Sequence, residues 1–218
     1  MRPATIIIPL AELLRLDAET GRRHVEEALA GFTCERDGAV VEDVVDFIRH
    51  KAIPFEENRI CRTFLSVVES DLSVGTLTVL GYFTLQYIQS EANGESLAML
   101  SDDLKRIIAS NYNSTSGVLL AQIARDSRYG PDVLDGATLL MNAERQARLV
   151  CDYVGGELIY LDCGEPLRDY YIDKGYIEIE EVSGKEGEES YYKMQKELYP
   201  ERSPILKALV DGASREPD

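Results

Sequence analysis

The sequence predicts an α/β (α+β) domain built on one sheet of mixed strand direction, and three stretches carry that reading. "GVLLAQIARDS" holds a nearly continuous apolar run, the pattern of a central strand covered on both faces. "CRTFLSVVES" and "LTVLGYFTLQYI" are rich in β-branched and aromatic residues and flank the turn-like "DLSVGT", which marks a hairpin. From Gly136 onward, Leu140, Ala143, Ala147 and Cys151 recur at helical spacing, so a helix follows the central strand and covers the sheet.

In chain order, "IIIPLAELLRLDAETGRRHVEEALAGF" reads as a short apolar start and then a helix. Leu13, Leu14, Val25, Ala28 and Leu29 form its buried stripe, and Asp17 or Thr20 its cap. A second helix carries Val41, Val44, Val45, Ile48 and Ala52 at three-to-four spacing and is expected to stop before Pro54. The hairpin comes next. Residues 89–117 form an excursion from the sheet, with a helix in "ESLAMLSDDLKRIIAS" and a polar connection in "NYNSTSG". The helix after Gly136 ends at "VGG", where Gly155 or Gly156 can take the conformation that terminates helices. "ELIYLDC" is a buried strand and "EPLRDYYIDKGY" a short helix. "IEIEEVS" and "YYKMQKEL" pair as a last hairpin around the acidic tip "GKEGEES". The expected organisation is one domain over residues 1–200, with N-terminal helices in 10–53, a core over 47–196 and a short tail at 201–218.

Composition narrows the function classes. With 218 residues, 44% of them hydrophobic, the chain can close a substantial core. Its 39 acidic against 23 basic residues give a net charge of -16, a field that repels polyphosphate at long range. The field therefore disfavours a nucleic-acid partner, which would need a local basic patch to overcome it, and favours cationic substrates over anionic ones. Cys34, Cys61, Cys151 and Cys163 are widely spaced, without a Cys-x-x-Cys pair or a neighbouring histidine pattern, so no metal site is expected. "MRPATIIIPL" lacks the features of a secretory leader, and no run approaches the roughly 20 apolar residues of a membrane span. A cytoplasmic protein with no membrane partner is the reading, its cysteines serving as core thiols. A homodimer stays open.

The break in "IARDSRYGPDVLDGATLL" lies between the central strand and its helix. A helix start leaves about four N–H groups unpaired and carries roughly half a positive charge, so such a turn either holds an anion or only reverses the chain. Neither Gly-x-x-x-x-Gly-Lys nor Gly-x-Gly-x-x-Gly is present, which removes the motifs of nucleotide hydrolases and dinucleotide enzymes.

Taken together, "CRTFLSVVE", "VLGYFTLQYI", "LLAQIARDSRYG", "DGATLLMNAERQA", "GGELIYLDC" and "LRDYYIDKGYIEI" resemble the GNAT superfamily of N-acetyltransferases over residues 47–196. The resemblance implies a mostly antiparallel central sheet flanked by helices, with a V-shaped splay after the central strand. It implies acetyl-CoA as donor: "LLAQIARD" lies along the pantetheine arm, and the following turn binds the coenzyme A pyrophosphate. The implied cofactor-binding residues are Ile123, Ala124, Arg125, Arg128, Tyr129, Gly130, Gly136, Ala137 and Thr138. The family's turn reads Arg/Gln-x-x-Gly-x-Gly/Ala, and this sequence departs from it with Pro131, Val133 and Asp135. An ionised Asp135 repels pyrophosphate unless it turns away to cap the helix, accepting from the N–H of Ala137 or Thr138.

The implied chemistry is direct attack of a neutral amine on the thioester carbonyl. A strand N–H near Ile123 or Ala124 polarises that carbonyl, and an acid protonates the departing thiolate. Tyr171 is the candidate acid, since "YYIDKGY" matches the family's Phe-Tyr-x-x-x-Gly-Phe element with Tyr170 in the phenylalanine place. A phenol stays protonated until sulfur takes its proton. No base declares itself: Glu69, Gln122 and Asp162 sit near strand ends, and water serves equally well. His24 and His50 are expected to be structural or solvent-facing, and Arg62 to pair with a carboxylate. The acceptor is read as an amine on a small molecule, or a protein lysine or N-terminus, rather than aminoacyl-tRNA as in toxin-like members. The alternative is a non-catalytic acyl-CoA-binding or partner-binding module on the same fold.

Overall fold

Alternating β-branched and aromatic residues build the sheet, and the two directions in which it is covered follow from which residues alternate. The computed structural model describes residues 3–16, 20–36, 38–91, 100, 102, 105, 114–184 and 190–199. The strands are β1 (Thr5–Pro9), β2 (Glu35–Arg36), β3 (Ala39–Val40), β4 (Arg62–Val68), β5 (Val79–Glu91), β6 (Ser114–Arg125), β7 (Leu158–Gly164), β8 (Ile177–Val182) and β9 (Tyr191–Glu197). Seven of them form one sheet in the order β1-β4-β5-β6-β7-β9-β8, and β2 and β3 pair as a separate small hairpin. Only β6 and β7 run parallel; every other neighbouring pair is antiparallel. The fold is mixed α/β with a mostly antiparallel central sheet flanked by helices, as the sequence predicts.

The N-terminus differs from the expected apolar start followed by one helix. Ile6, Ile7 and Ile8 form the edge strand β1 against β4, because their β-branched side chains suit a pleated surface. Pro9 closes it, since an edge position leaves its missing N–H without consequence. The helical run is divided into α1 (Leu10–Arg15) and α2 (Thr20–Ala30); Thr20 opens the second, and Asp17 lies outside the described residues. The next helix does not stop before Pro54. It comprises α3 (Glu42–Asp46), a π-helical turn (Phe47–Lys51) and α4 (Ala52–Glu57). In the wider turn the Ala52 N–H bonds Phe47 O, so Pro54 falls in the first turn of a new segment, where its missing N–H and ring are tolerated.

The predicted hairpin is β4 and β5, joined through the short helix α5 (Glu69–Leu72). Side chains alternate from it to two cores. Leu65, Val67, Val79 and Tyr82 face the N-terminal helices, where they meet Leu10, Val25, Leu29, Phe32, Phe47 and Ile48. Phe64, Leu80, Phe83 and Leu85 face the other way, toward α6 (Gly136–Val154). Leu139, Leu140, Ala143, Ala147 and Cys151 form the stripe of α6 against the sheet, and burial of each leucine contributes roughly 2 kcal/mol. Gly155, at φ +85° and ψ 169°, ends α6 in an extended conformation that glycine alone enters without strain.

After β7 comes α7 (Glu165–Asp173), and β9 then inserts between β7 and β8 as the last hairpin. Among the described residues no helix is long and apolar enough to cross a membrane. Most of the helix expected in the excursion, residues 185–189 of the acidic tip and the tail at 201–218 lie outside the described residues; of that helix Leu100, Asp102 and Lys105 are described, and Leu100 is buried near Leu158 and Tyr160.

Candidate active site

The site begins where β6 and β7 part. They share only three register pairs, Gly117 with Leu158, Val118 with Ile159 and Leu119 with Tyr160. A Cβ on Gly117 would lie 2.2 Å from Leu158 O, so the glycine is what lets the two backbones meet there. Beyond this point Ala121 is bulged out of the β5 pairing, Leu120 facing Leu85 and Gln122 facing Thr84. The bulge bends β6 away from β7 and opens the V-shaped splay.

Which N–H groups face the gap follows from the ladder. Asp126 N–H donates to Leu80 O at 2.8 Å. Antiparallel bonds alternate, so Ala124 also turns toward β5, whereas Ile123 and Arg125 turn away from it into the gap. Of the two strand positions that the sequence left open, Ile123 presents its N–H to the opening.

The segment after β6 closes largely on itself. Tyr129 N–H donates to Asp126 O, and Val133 and Leu134 N–H both donate to Gly130 O. A Cβ on Gly130 would come within 2.3 Å of Asp132 Oδ1, which places that carboxylate over the turn. Asp135 caps α6: its Oδ1 accepts from Thr138 N–H at 2.7 Å and its Oδ2 from Thr138 Oγ1 at 2.9 Å. Thr138 is thereby occupied. The N–H groups of Gly136 and Ala137 open the helix without an acceptor among the described residues.

A cleft of about 210 Å³ gathers these elements. It is lined by Ile123, Ala124 and Arg125 of β6 with Ser127 just after it, by Gly136, Leu139 and Leu140 of α6, and by Leu167, Tyr170 and Tyr171 of α7. Cys34, Glu35 and Arg36 complete the lining. This last segment is held down at its base. Ser127 N–H donates to Thr33 O at 2.9 Å, Glu35 N–H donates to Ser127 Oγ at 2.7 Å, and Arg49 donates twice to Phe32 O. Nothing in the local pattern of "TCER" announces this role; the segment comes to the site through tertiary contacts with Ser127 and Arg49.

Two tyrosines face the cleft from adjacent positions. Tyr171 is 5% exposed, and its ring packs edge-on between Tyr170 and Tyr176. Burial pushes its pKa up, the neighbouring Tyr170 and Cys163 adding to the shift and Arg36 opposing it. The phenol is therefore neutral and able to donate a proton. The Tyr170 hydroxyl is buried without a hydrogen-bond partner, 3.7 Å from where a Cβ on Gly136 would lie. Burial, then the Asp135 and Glu144 carboxylates, raise its pKa too.

The remaining expected residues lie off the cleft wall. Arg128 is taken up by the fully buried Asp126, donating through Nε at 3.0 Å to both oxygens and through Nη2 at 2.5 Å. Its Nε and Nη2 are thereby engaged by the buried carboxylate two residues away. Tyr129 packs under the Arg128 guanidinium. Gly130 and Ala137 are exposed beside the cleft. Glu69, Gln122 and Asp162 do not line it, and Gln122 Oε1 is buried without a donor. His24 is exposed, His50 Nδ1 lies 3.0 Å from Asp46, and Arg62 pairs with the buried Glu56. Among the described residues no three His, Cys, Asp or Glu side chains converge on a metal position.

No protein-family model matches the sequence, and no curated protein matches it. Solved structures do match the fold. A structure described as a bacterial toxin superposes with a TM-score of 0.62 at 12% identity, covering 99% of each chain. AtaT complexed with acetyl-methionyl-tRNAfMet gives 0.58 at 21% identity over 87% of this chain and 94% of its own. AtaTR bound with AcCoA gives 0.55 at 20% identity over 86% and 92%. The tRNA complex of AtaT, with a KacTA-DNA complex at TM-score 0.54 and 16% identity over 95% and 99%, overturns the expectation that disfavoured a nucleic-acid partner. Net charge sums the whole surface, whereas phosphate-backbone contact depends on cations within about one Debye length, roughly 8 Å at physiological salt. The chain shares the overall fold of these structures, a central sheet flanked by helices consistent with the GNAT-like architecture that the resemblance implies.

Proposed function

We propose that this protein is an acetyl-CoA-dependent N-acetyltransferase that transfers the acetyl group to a primary amine by direct attack. The observation that carries the reading is the convergence, at the splay, of a free strand N–H, an unoccupied helix start and a buried neutral phenol on one cleft. The AcCoA-bound AtaTR of the same fold supports acetyl-CoA as the donor.

The amine nitrogen forms a bond to the thioester carbonyl carbon, and the carbonyl oxygen gains negative charge. The Ile123 N–H, turned into the gap, is placed to stabilise that charge. Collapse breaks the carbon–sulfur bond, and the thiolate takes the Tyr171 proton while the nitrogen releases its own to solvent. Solvent then returns a proton to the Tyr171 phenolate. The candidate acceptors are an amine on a small molecule, a protein lysine or N-terminus and, from the acetyl-methionyl-tRNAfMet complexed with AtaT, an aminoacyl-tRNA.

The test is thiol release from acetyl-CoA with a panel comprising a polyamine, a lysine peptide and an aminoacyl-tRNA, wild type beside Tyr171→Phe. The expected result is release with at least one amine and a loss of about 100-fold in kcat for the variant. A wild type that binds coenzyme A yet releases no thiol with any amine overturns the enzyme reading in favour of a binding module. Equal rates for the two proteins overturn the role of Tyr171.

A further inference from the structure

Resting on the reading that donor and acceptor meet in this cleft, we propose that Ser127 is a positioning residue for the acceptor: its hydroxyl holds the β2–β3 hairpin where the incoming amine must pass. The cleft draws its lining from both faces of the sheet. Leu139, Leu140, Tyr170 and Tyr171 belong to the core that includes α6, whereas Ala124 and Cys34 pack with the core of the N-terminal helices. The helix start and the phenol, which the reaction assigns to the donor, stand with the first core. The donor fills that end of the cleft, so the amine enters from the other, beside Cys34, Glu35 and Arg36.

Hydrogen bonds, not apolar burial, order this hairpin. β2 and β3 pair only Glu35 with Val40 and Arg36 with Ala39, and all four residues are exposed. A two-stranded hairpin without a buried apolar face is marginal by itself. What fixes it lies at its base. Val41 N–H donates to Cys34 O at 2.8 Å, and Arg49 donates to Phe32 O through Nε at 2.9 Å and Nη2 at 2.5 Å. Ser127 contributes two bonds: its N–H donates to Thr33 O at 2.9 Å, and its Oγ accepts from Glu35 N–H at 2.7 Å. The second of these reaches β2 itself. Ser127 follows Arg125, the last residue of β6, by two positions, so one hydroxyl registers the hairpin against the strand whose Ile123 N–H faces the gap. Reacting groups gain most when each is held in place before they meet.

The experiment measures kcat and amine KM for wild type, Ser127→Ala, Ser127→Thr and Arg49→Gln, with whichever of spermidine, a lysine peptide and an aminoacyl-tRNA the wild type acetylates. Calorimetric Kd for coenzyme A and Tm are recorded beside them. In Ser127→Ala water replaces Oγ at the Glu35 N–H, and the amine must re-order the hairpin as it binds. The expected result is a rise of about fivefold in amine KM, with kcat and coenzyme A Kd within about twofold of wild type. Ser127→Thr keeps the hydroxyl and is expected to restore KM. Arg49 does not line the cleft, so Arg49→Gln raises amine KM only by loosening the segment that carries the hairpin. An unchanged amine KM in Ser127→Ala overturns the assignment and leaves the enzyme reading standing. An equal loss of coenzyme A affinity also overturns it, making Ser127 a donor contact. A KM effect in Ser127→Ala with none in Arg49→Gln overturns it as well, since Ser127 then touches the amine directly. A wild type that acetylates none of the three removes the enzyme reading and this assignment with it.

Discussion

Asp135 lies next to the N–H groups of the helix start, where a ligand anion and a capping carboxylate compete, and two substitutions there separate its effects. Its carboxylate makes two bonds to Thr138, at 2.7 and 2.9 Å. Asp135→Ala removes the cap, at a cost of about 1 kcal/mol within a range of 0.5–2, and also the favourable charge at the helix start, about 0.5 kcal/mol. The expected sum of about 1.5 kcal/mol corresponds to a fall in Tm of roughly 3–6 °C for a chain of this size. Asp135→Asn keeps an acceptor oxygen in a residue that caps as well as aspartate, so only the charge contribution of about 0.5 kcal/mol is lost. Binding moves the other way. A carboxylate about 8 Å from a phosphate in a watery cleft repels it by about 0.5 kcal/mol, so both variants are expected to bind coenzyme A two- to threefold more tightly. Urea denaturation supplies the stabilities and calorimetry the affinities. An Asp135→Ala protein with wild-type stability and weakened coenzyme A binding would falsify the capping assignment, because the carboxylate would then be serving the ligand.

Two further predictions concern the packing around the cleft. Arg128→Gln leaves the buried Asp126 carboxylate without its guanidinium; as Arg128 is itself half exposed, the expected destabilisation is about 2 kcal/mol, with coenzyme A affinity unchanged per folded molecule. A tenfold affinity loss at unchanged Tm would instead make Arg128 a ligand contact. Burial pushes Cys61 and Cys151 up to about 11, and the unfolded thiols titrate near 8.5. Both folded-state values are raised, so their contribution is full below about pH 8.5 and is lost as pH rises toward 11, by about 1.4 kcal/mol per pH unit for each thiol. Unfolding free energies between pH 8 and 10.5 check this; a flat profile refutes the burial of the two thiols.

What could be read locally was read from the sequence. β6 was legible because a strand covered on both faces must be apolar throughout, and α6 because its stripe repeats every three to four residues. The Asp135 cap was legible because capping depends on residues three apart, and it bonds Thr138, one of the two partners expected. The failures share a physical cause. β1 was taken as an undefined apolar start because an edge strand is defined by its partner, here β4, more than fifty residues away. The continuation of the helix through Pro54 depended on a π-helical turn that no residue pattern signals. Of the cleft lining, the sequence alone singled out Ile123, Ala124, Arg125, Gly136 and Tyr171, since each belongs to an element with its own periodicity or motif. Only the tertiary structure decided that Arg128 would pair with the buried Asp126 and that Cys34, Glu35 and Arg36 would join that lining. One of the bonds that brings them there joins Glu35 to Ser127, 92 residues apart, and such a contact leaves no trace in either local sequence.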